Sequence, residues 1–312
     1  MPSKDGLSPV PSRDERQREN PAAAPARANR GRILISCPDR PGIVAAVARL
    51  LFAQGANIVR SDQHTTDPVG GSFFMRVEFD LPELAARKTE ISEAFSTVAT
   101  RLHMDWRLAL ASPPKRVAVL VSKEGHCLNE LLWRHQSGEL PGELTLVVSN
   151  HRDLGPMAAA HGIPFHHIPT RPGAREETEA RQRALLEAGS GVDLIVLARY
   201  MQILSPEFVS RYRGRIINIH HSFLPAFAGG NPYRQAYDRG VKIIGATAHY
   251  VTADLDAGPI IEQDVLRVTH RDNAEDMRRV GRQIERAVLA RAVIWHLEDR
   301  VLLHGNRTVV FG

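Results

Sequence analysis

Three residues in the C-terminal half have the types and spacing to act on a carbonyl group. Asn218 and His220 lie two apart in the run Ile216-Ile217-Asn218-Ile219-His220-His221-Ser222-Phe223-Leu224-Pro225. On a strand, residues two apart share a face. An amide and an imidazole therefore project from one side of an otherwise apolar run. Leaving such groups buried without partners costs ~1–3 kcal/mol each, so they must be satisfied. The strand alone is compatible with two structural polar residues or with half of a site. Asp256 sits in Asp254-Leu255-Asp256-Ala257-Gly258-Pro259-Ile260-Ile261, where the Gly-Pro pair makes a short, stiff loop. An Asp beside a glycine is commonly only a turn former. Together the amide, imidazole and carboxylate offer a donor for a developing oxyanion and a proton carrier with a group to orient it.

These residues need elements to hold them. Val117–Val121, Leu144–Val148, Leu194–Ala198 and Ile216–Ile219 are continuous apolar runs, the signature of buried parallel strands. Helical stretches at about Leu128–Gln136, Gly155–Ala160, Glu176–Ala188 and Pro206–Arg211 separate them, and a last helix spans about Ala274–Leu297. Strand-then-helix alternation predicts a mostly parallel, Rossmann-like sheet, with sites at the C-terminal ends of strands. Asn218 and His220 lie at such an end. His249 lies in the strand pattern Gly245–Val251, where it lines the site or is a satisfied core histidine. His221 is expected to face away from His220 and to be structural. A zinc reading of His220, His249 and Asp256 lacks the His-x-x-x-His spacing on a helix and ranks below a metal-free site.

Upstream the grammar differs. Ile33–Ser36 is strand-like, and Cys37-Pro38-Asp39-Arg40-Pro41-Gly42 breaks it. Ile43, Val44, Val47, Leu50 and Leu51 recur at helical spacing, and Gly55 ends that helix. Strands from Ala56 and over Ser72–Asp80, a helix over about Leu84–Leu102 and a strand over Trp106–Ala111 complete a β-α-β-β-α-β order, which predicts a ferredoxin-like domain. The expected division is a disordered leader over 1–30, a ferredoxin-like domain over 31–111, a linker over 112–115 and an α/β domain over 116–312.

Bulk properties narrow the function. The 312 residues are 43% hydrophobic and 24% charged, as globular chains are. No apolar run is long enough for a membrane span. The net charge is +5, but the first thirty residues hold six Lys/Arg against four Asp/Glu, and no basic stripe with interleaved aromatics follows, so nucleic acid is not an expected partner. Two cysteines, Cys37 and Cys127, give no disulfide framework, and with no secretory leader they fit a reducing cytoplasm.

The pattern Asn218-x-His220-x-Ser222-x-Leu224-Pro225 with Leu255-Asp256-x-Gly258-Pro259-Ile260-Ile261 resembles the folate-dependent formyltransferase family. The resemblance implies that Asn218, His220 and Asp256 are catalytic. It implies that Val196–Pro206 is a folate-binding loop, with Met201, Gln202, Ile203, Leu204 and His249 against the folate. Cys37–Val44 and Gly55–Ile58 are similar to ACT domains, which pair side by side and bind small molecules. That implies an effector site at Asp39, Arg40, Gly42 and Asn57, with methionine or glycine as the ligand, and a homodimer or homotetramer. The combination over residues 31–312 resembles the formyltetrahydrofolate deformylase family.

That resemblance implies hydrolysis of 10-formyltetrahydrofolate to formate and tetrahydrofolate, balancing the one-carbon pool and supplying formate for purine synthesis. No cofactor is implied, the folate being the substrate. Water attacks the formyl carbon, Asn218 and His220 donate to the oxyanion, and Asp256 orients His220 and helps move protons. The group that first deprotonates the water is left open. Val121–Asn129 holds one glycine and Glu124, unlike the glycine-rich phosphate cradle of the ribonucleotide transferases, and Lys123 and His126 read as a solvated loop. Gln202 stands where those transferases carry an arginine. Phe227–Tyr233 reads as a hinged lid or a surface turn. Transfer of the formyl group to an amine, and an ACT-based ligand sensor without turnover, are the alternatives.

Overall fold

The computed structural model describes residues 28–67, 69–226 and 232–312. Most of the leader and Phe227–Asn231 of the expected lid lie outside them. The chain divides into two compact units, one ending at Pro113 and one beginning at Pro114.

The N-terminal unit runs β1 (Arg30–Pro38), α1 (Ile43–Ala53), β2 (Asn57–Thr65), β3 (Ser72–Asp80), α2 (Lys88–Leu102) and β4 (Asp105–Leu110). Its sheet has the order β2-β3-β1-β4, with every neighbouring pair antiparallel. Ile43, Val47 and Leu51 recur every four residues on α1, so one stripe meets Ile33 and Ile35 of β1 and Phe95 of α2. The helix expected from Leu84 begins instead at Lys88. Residues 82–87 form turns, with the Arg87 amide donating to the Glu83 carbonyl, and Leu84 is still fully buried.

The C-terminal unit holds β5 (Lys115–Val121), α3 (His126–Ser137), β6 (Gly142–Ser149), α4 (Gly155–Ala160), β7 (Phe165–His167), α5 (Arg175–Leu186), β8 (Leu194–Ala198) and α6 (Pro206–Arg211). It continues with β9 (Ile216–His220), α7 (Pro232–Arg239), β10 (Ile243–Tyr250), β11 (Ile260–Arg267), α8 (Ala274–Leu297), β12 (Val301–His304) and β13 (Arg307–Val310). The large sheet has the order β11-β10-β9-β8-β5-β6-β7. The five strands from β9 to β7 are parallel, and β10 and β11 are antiparallel additions. Val117, Val119 and Val121 of β5 face one core with α3 and α8, while Ala118 and Leu120 face a second with Leu186 of α5 and Phe208 of α6. A strand buried on both faces explains the unbroken apolar runs. Asn273 caps α8 by accepting from the Glu275 and Asp276 amides, with Asp276 returning the bond.

Several details depart from the expectation. Lys115, placed in the linker, is the first residue of β5, and its Nζ donates to Asp299 Oδ1 at 2.6 Å. Pro232 and Tyr233, placed in the lid, open helix α7 and are buried. Strand β7 is three residues long, too short for periodicity to register. Among the described residues, no helix is long and apolar enough to cross a membrane.

Candidate active site

The register of β9 against β10 sets the first two site residues. His249 lies directly opposite Asn218, and Thr247 opposite His220. Asn218 Nδ2 donates to His249 Nε2 at 3.2 Å, and His249 Nδ1 donates to the Tyr250 carbonyl at 3.0 Å. Burial holds the His249 ring below the usual histidine range, so it stays neutral and accepts from the amide. One amide hydrogen of Asn218 is thereby fixed and the other remains for the cavity. Beyond β9, Thr247 Oγ1 donates to the Ser222 carbonyl at 2.9 Å and accepts from the Leu224 amide and Gln263 Nε2. Thr247 is fully buried, so this junction locks the strand end that carries His220.

Asp256 reaches the same place from the loop between β10 and β11. Its Oδ2 lies 3.3 Å from His220 Nδ1, and its Oδ1 lies 3.9 Å from His249 Nε2. The His220 hydrogen bond holds the Asp256 carboxyl below its ordinary value, against the opposing effect of burial. Asp256 adopts φ 54°, a conformation Asp tolerates better than most residues. Gly258 packs so closely that a Cβ would come within 1.8 Å of the Tyr250 carbonyl oxygen. The β12–β13 hairpin clamps the loop from outside. Asn306 Nδ2 donates to the Ala257 carbonyl at 3.0 Å and Thr308 Oγ1 to that of Ile260 at 2.6 Å. The Gly305-Asn306 turn between two β-patterned runs was the available sequence signal for this hairpin.

All eight residues expected at the catalytic and folate positions line one cavity of about 310 Å³: Asn218, His220, Asp256, Met201, Gln202, Ile203, Leu204 and His249. Its mouth is apolar, with Met201, Ile203 and Leu255 each more than half exposed. The loop after β8 is held by residues that composition did not single out. Met201 N donates to Ser122 Oγ at 3.0 Å. Gln182 Nε2 donates to the Tyr200 hydroxyl at 2.7 Å, and buried Glu179 accepts from the Ser205 amide and hydroxyl. Gln202 donates to the Met201 carbonyl. A second cavity, on the other side of the same loop, is lined by His151, Arg171 and Arg175 as well as Tyr200–Leu204.

His221 departs from the expectation. Strand β9 ends at His220, so alternation stops there, and His221 lines the same cavity with its ring centroid 5.3 Å from that of His220. Burial, with the nearby Arg199 charge, pushes its pKa down to about 3. His126 departs too: it is no solvated loop residue, because its Nε2 lies 2.8 Å from Glu285 Oε2. Glu285, from α8, is 1% exposed and also accepts from the Tyr233 hydroxyl at 2.6 Å. Burial opposes its charge, but His126 and Arg199 outweigh that and hold the carboxyl below its ordinary value. Among the described residues, His126, Cys127 and Glu285 bring ligand-type atoms within 4.8 Å of one another. The Arg199 guanidinium 3.5 Å from Glu285 repels a cation there, and burial raises the Cys127 thiol well above its usual pKa.

In the N-terminal unit, Asp39, Arg40 and Gly42 share the turn between β1 and α1. Asp39 accepts from the Thr65 hydroxyl at 2.7 Å, and Gly42 adopts φ 91° at the start of α1. Asn57 does not join them. It pairs with Asp80 at one end of β3, whereas Pro38 pairs with Ser72 at the other. Helix α1 carries the chain to the far end of the sheet before β2 begins.

The Formyl transferase family model matches residues 115–293, and the ACT domain model matches residues 31–95. The chain is 58% identical over 283 residues to the formyltetrahydrofolate deformylase of Bacillus subtilis (strain 168), covering 91% of this chain and 94% of that one. The crystal structure of a formyltetrahydrofolate deformylase from Pseudomonas syringae pv. tomato superposes with a TM-score of 0.85 at 49% identity, over 91% of this chain and 95% of that chain. The structure of glycinamide ribonucleotide transformylase 1 from Symbiobacterium toebii is similar over 66% of this chain and 98% of that one, with a TM-score of 0.62 at 33% identity. The transformylase likeness stops at two thirds of the chain, while the deformylase likeness runs through both units, and the chain therefore belongs to the formyltetrahydrofolate deformylase family.

Proposed function

We infer that the chain hydrolyses 10-formyltetrahydrofolate to formate and tetrahydrofolate, with Asn218, His220 and Asp256 as its catalytic residues. One observation carries the assignment of roles: His220 lines the cavity, its Nδ1 is held by Asp256, and its Nε2 is buried without a hydrogen-bond partner among the described residues. A buried polar atom without a partner costs stability, so it is kept for a ligand. With Nδ1–H given to Asp256, Nε2 carries the lone pair.

Nε2 takes a proton from water as the water oxygen attacks the formyl carbon. The carbonyl becomes an oxyanion, and the free amide hydrogen of Asn218 donates to it; such a donor is worth ~2.7–4 kcal/mol. Asp256 stabilises the imidazolium. Collapse of the intermediate breaks the bond to the folate nitrogen, and the imidazolium returns its proton to that nitrogen. His249 is a positioning residue that orients Asn218. This scheme calls on no metal or cofactor.

The pterin is assigned to the apolar mouth formed by Met201, Gln202, Ile203, Leu204 and Leu255. The cations of the second cavity, Arg171 and Arg175, suit the carboxylates of the folate's glutamyl tail. The ACT unit is assigned an effector, methionine or glycine, at the Asp39–Gly42 turn, without Asn57. Strand β2 is an edge strand, largely exposed, with Ile58 and Val59 among its open residues, which supports pairing with a second copy. Two buried, unpaired cysteines suit the cytoplasm. The test is release of formate from 10-formyltetrahydrofolate with no amine present. Activity that requires an added amine would refute hydrolysis.

A further inference from the structure

Strand β5 leads through α3 to β6 and β7 on one side of the sheet, and the chain then returns to β8 on the other side. The crevice between the C-terminal ends of β5 and β8 is therefore the topological switch point, where open α/β sheets bind ligands. Helix α3 begins there at His126, and its N-cap, Gly125, makes no side-chain capping bond. Such a helix end attracts anions.

The chain places its own charges at this crevice. Glu124 Oε2 lies 3.5 Å from Arg199 Nε, 3.8 Å from His126 Nδ1 and 4.0 Å from Arg282 Nε. Among the described residues neither Arg199 Nε nor Arg282 Nε has a hydrogen-bond partner, although both are buried atoms. Two cations thus flank the Glu124 carboxylate without being hydrogen-bonded by it, and Arg199 lies as close to Glu285, at 3.5 Å. Arg199 is itself nine-tenths buried, is held in the left-handed region at φ 61°, and lines the cavity with Asn218, His220 and Asp256. The neighbouring transformylase fold is named for a ribonucleotide, a molecule that carries a phosphate.

We propose that Glu124 is a specificity-determining residue: its carboxylate is an internal anion that fills the switch-point crevice and denies it to a phosphate-bearing amine, leaving water as the formyl acceptor. The proposal rests on the hydrolytic reading above. Glu285 and His126 hold the back of the crevice rigid, and Glu124, about a third exposed, is the removable part. Taking away its charge leaves Arg282 and the α3 N-terminus without their nearest carboxylate, and leaves Arg199 with Glu285 alone.

The experiment is calorimetric titration of inorganic phosphate into the wild-type protein, Glu124→Ala and Glu124→Ala/Arg282→Ala at low ionic strength. Formate release is followed in parallel. Phosphate is expected to bind Glu124→Ala at least about tenfold more tightly than wild type and to inhibit its hydrolysis, with the gain lost in the double variant. Equal phosphate affinity in wild type and folded Glu124→Ala overturns the proposal, as does a gain that survives Arg282→Ala. Should Glu124→Ala not fold, Glu124→Gln keeps the volume, removes the charge and must show the same gain. Phosphate binding needs no turnover, so failure of the hydrolytic reading would appear separately, as absence of formate release by the wild type.

Discussion

Replacing Asp256 by asparagine removes one charge and almost nothing else. Asn keeps the size of the side chain and tolerates the φ of 54° that this position demands. The melting temperature should therefore stay within about 3 °C of wild type, a change worth under ~1 kcal/mol. Catalysis should not survive so well. When His220 takes a proton, its imidazolium forms 3.3 Å from the Asp256 carboxylate, a group only 13% exposed. At an effective dielectric of about 20, that attraction is ~5 kcal/mol. An amide forfeits most of it, and each ~1.36 kcal/mol is tenfold in rate, so kcat should fall by about three to four orders of magnitude. KM should move little, because the loop after β8, to which the folate is assigned, is untouched. Formate release measured with and without an amine gives kcat directly. A folded Asp256→Asn protein with turnover within about tenfold of wild type would remove the carboxylate from the mechanism.

Other perturbations test other links. In Gly258→Ala the new Cβ would lie 1.8 Å from the Tyr250 carbonyl oxygen, so the loop must shift. We expect at least about a tenfold fall in kcat and a loss of ~1–3 kcal/mol in stability, read by urea unfolding; unchanged turnover would show that Asp256 is placed by something else. His221, with its pKa lowered to about 3 from 6.5, and His249, also lowered by burial, make stability pH-dependent. The unfolded chain binds protons near pH 6.5 that the folded protein refuses, so stability falls as pH drops from 6.5 toward 3, by up to ~1.4 kcal/mol per pH unit from His221, with His249 adding in the same direction. Asp256 adds to the loss in the same direction as pH falls through its lowered pKa. A urea midpoint unchanged between pH 7 and pH 5 would contradict this. For the ACT unit, methionine or glycine should give heat on titration and alter the rate of hydrolysis, and silence from both in both assays would refute the effector assignment.

The sequence by itself determined the elements that hold the proposed catalytic groups. Short continuous apolar runs between helical stretches suit strands buried on both faces, and alternate β5 residues do divide between two cores. The two-residue spacing of Asn218 and His220 on such a strand placed both in one cavity. The Gly-Pro pair after Asp256 announced a stiff loop because each of those residues restricts the backbone locally. Periodicity and turn chemistry are local properties, readable wherever they occur.

Only the tertiary structure decided which distant groups meet. His249 orients Asn218 because antiparallel β10 pairs with β9 in one register, and a shift of one residue would turn it to the other face. His126 left the solvated loop, and Tyr233 the lid, because α8 brings Glu285 to both. Nothing near either residue in the sequence signals a carboxylate from a helix more than fifty positions away. Asn57 left the ACT turn for the converse reason: it is near in sequence, yet helix α1 carries it to the opposite end of the sheet. A buried charge is stable only among partners that the whole fold assembles, so such clusters are fixed by packing and not by any one segment.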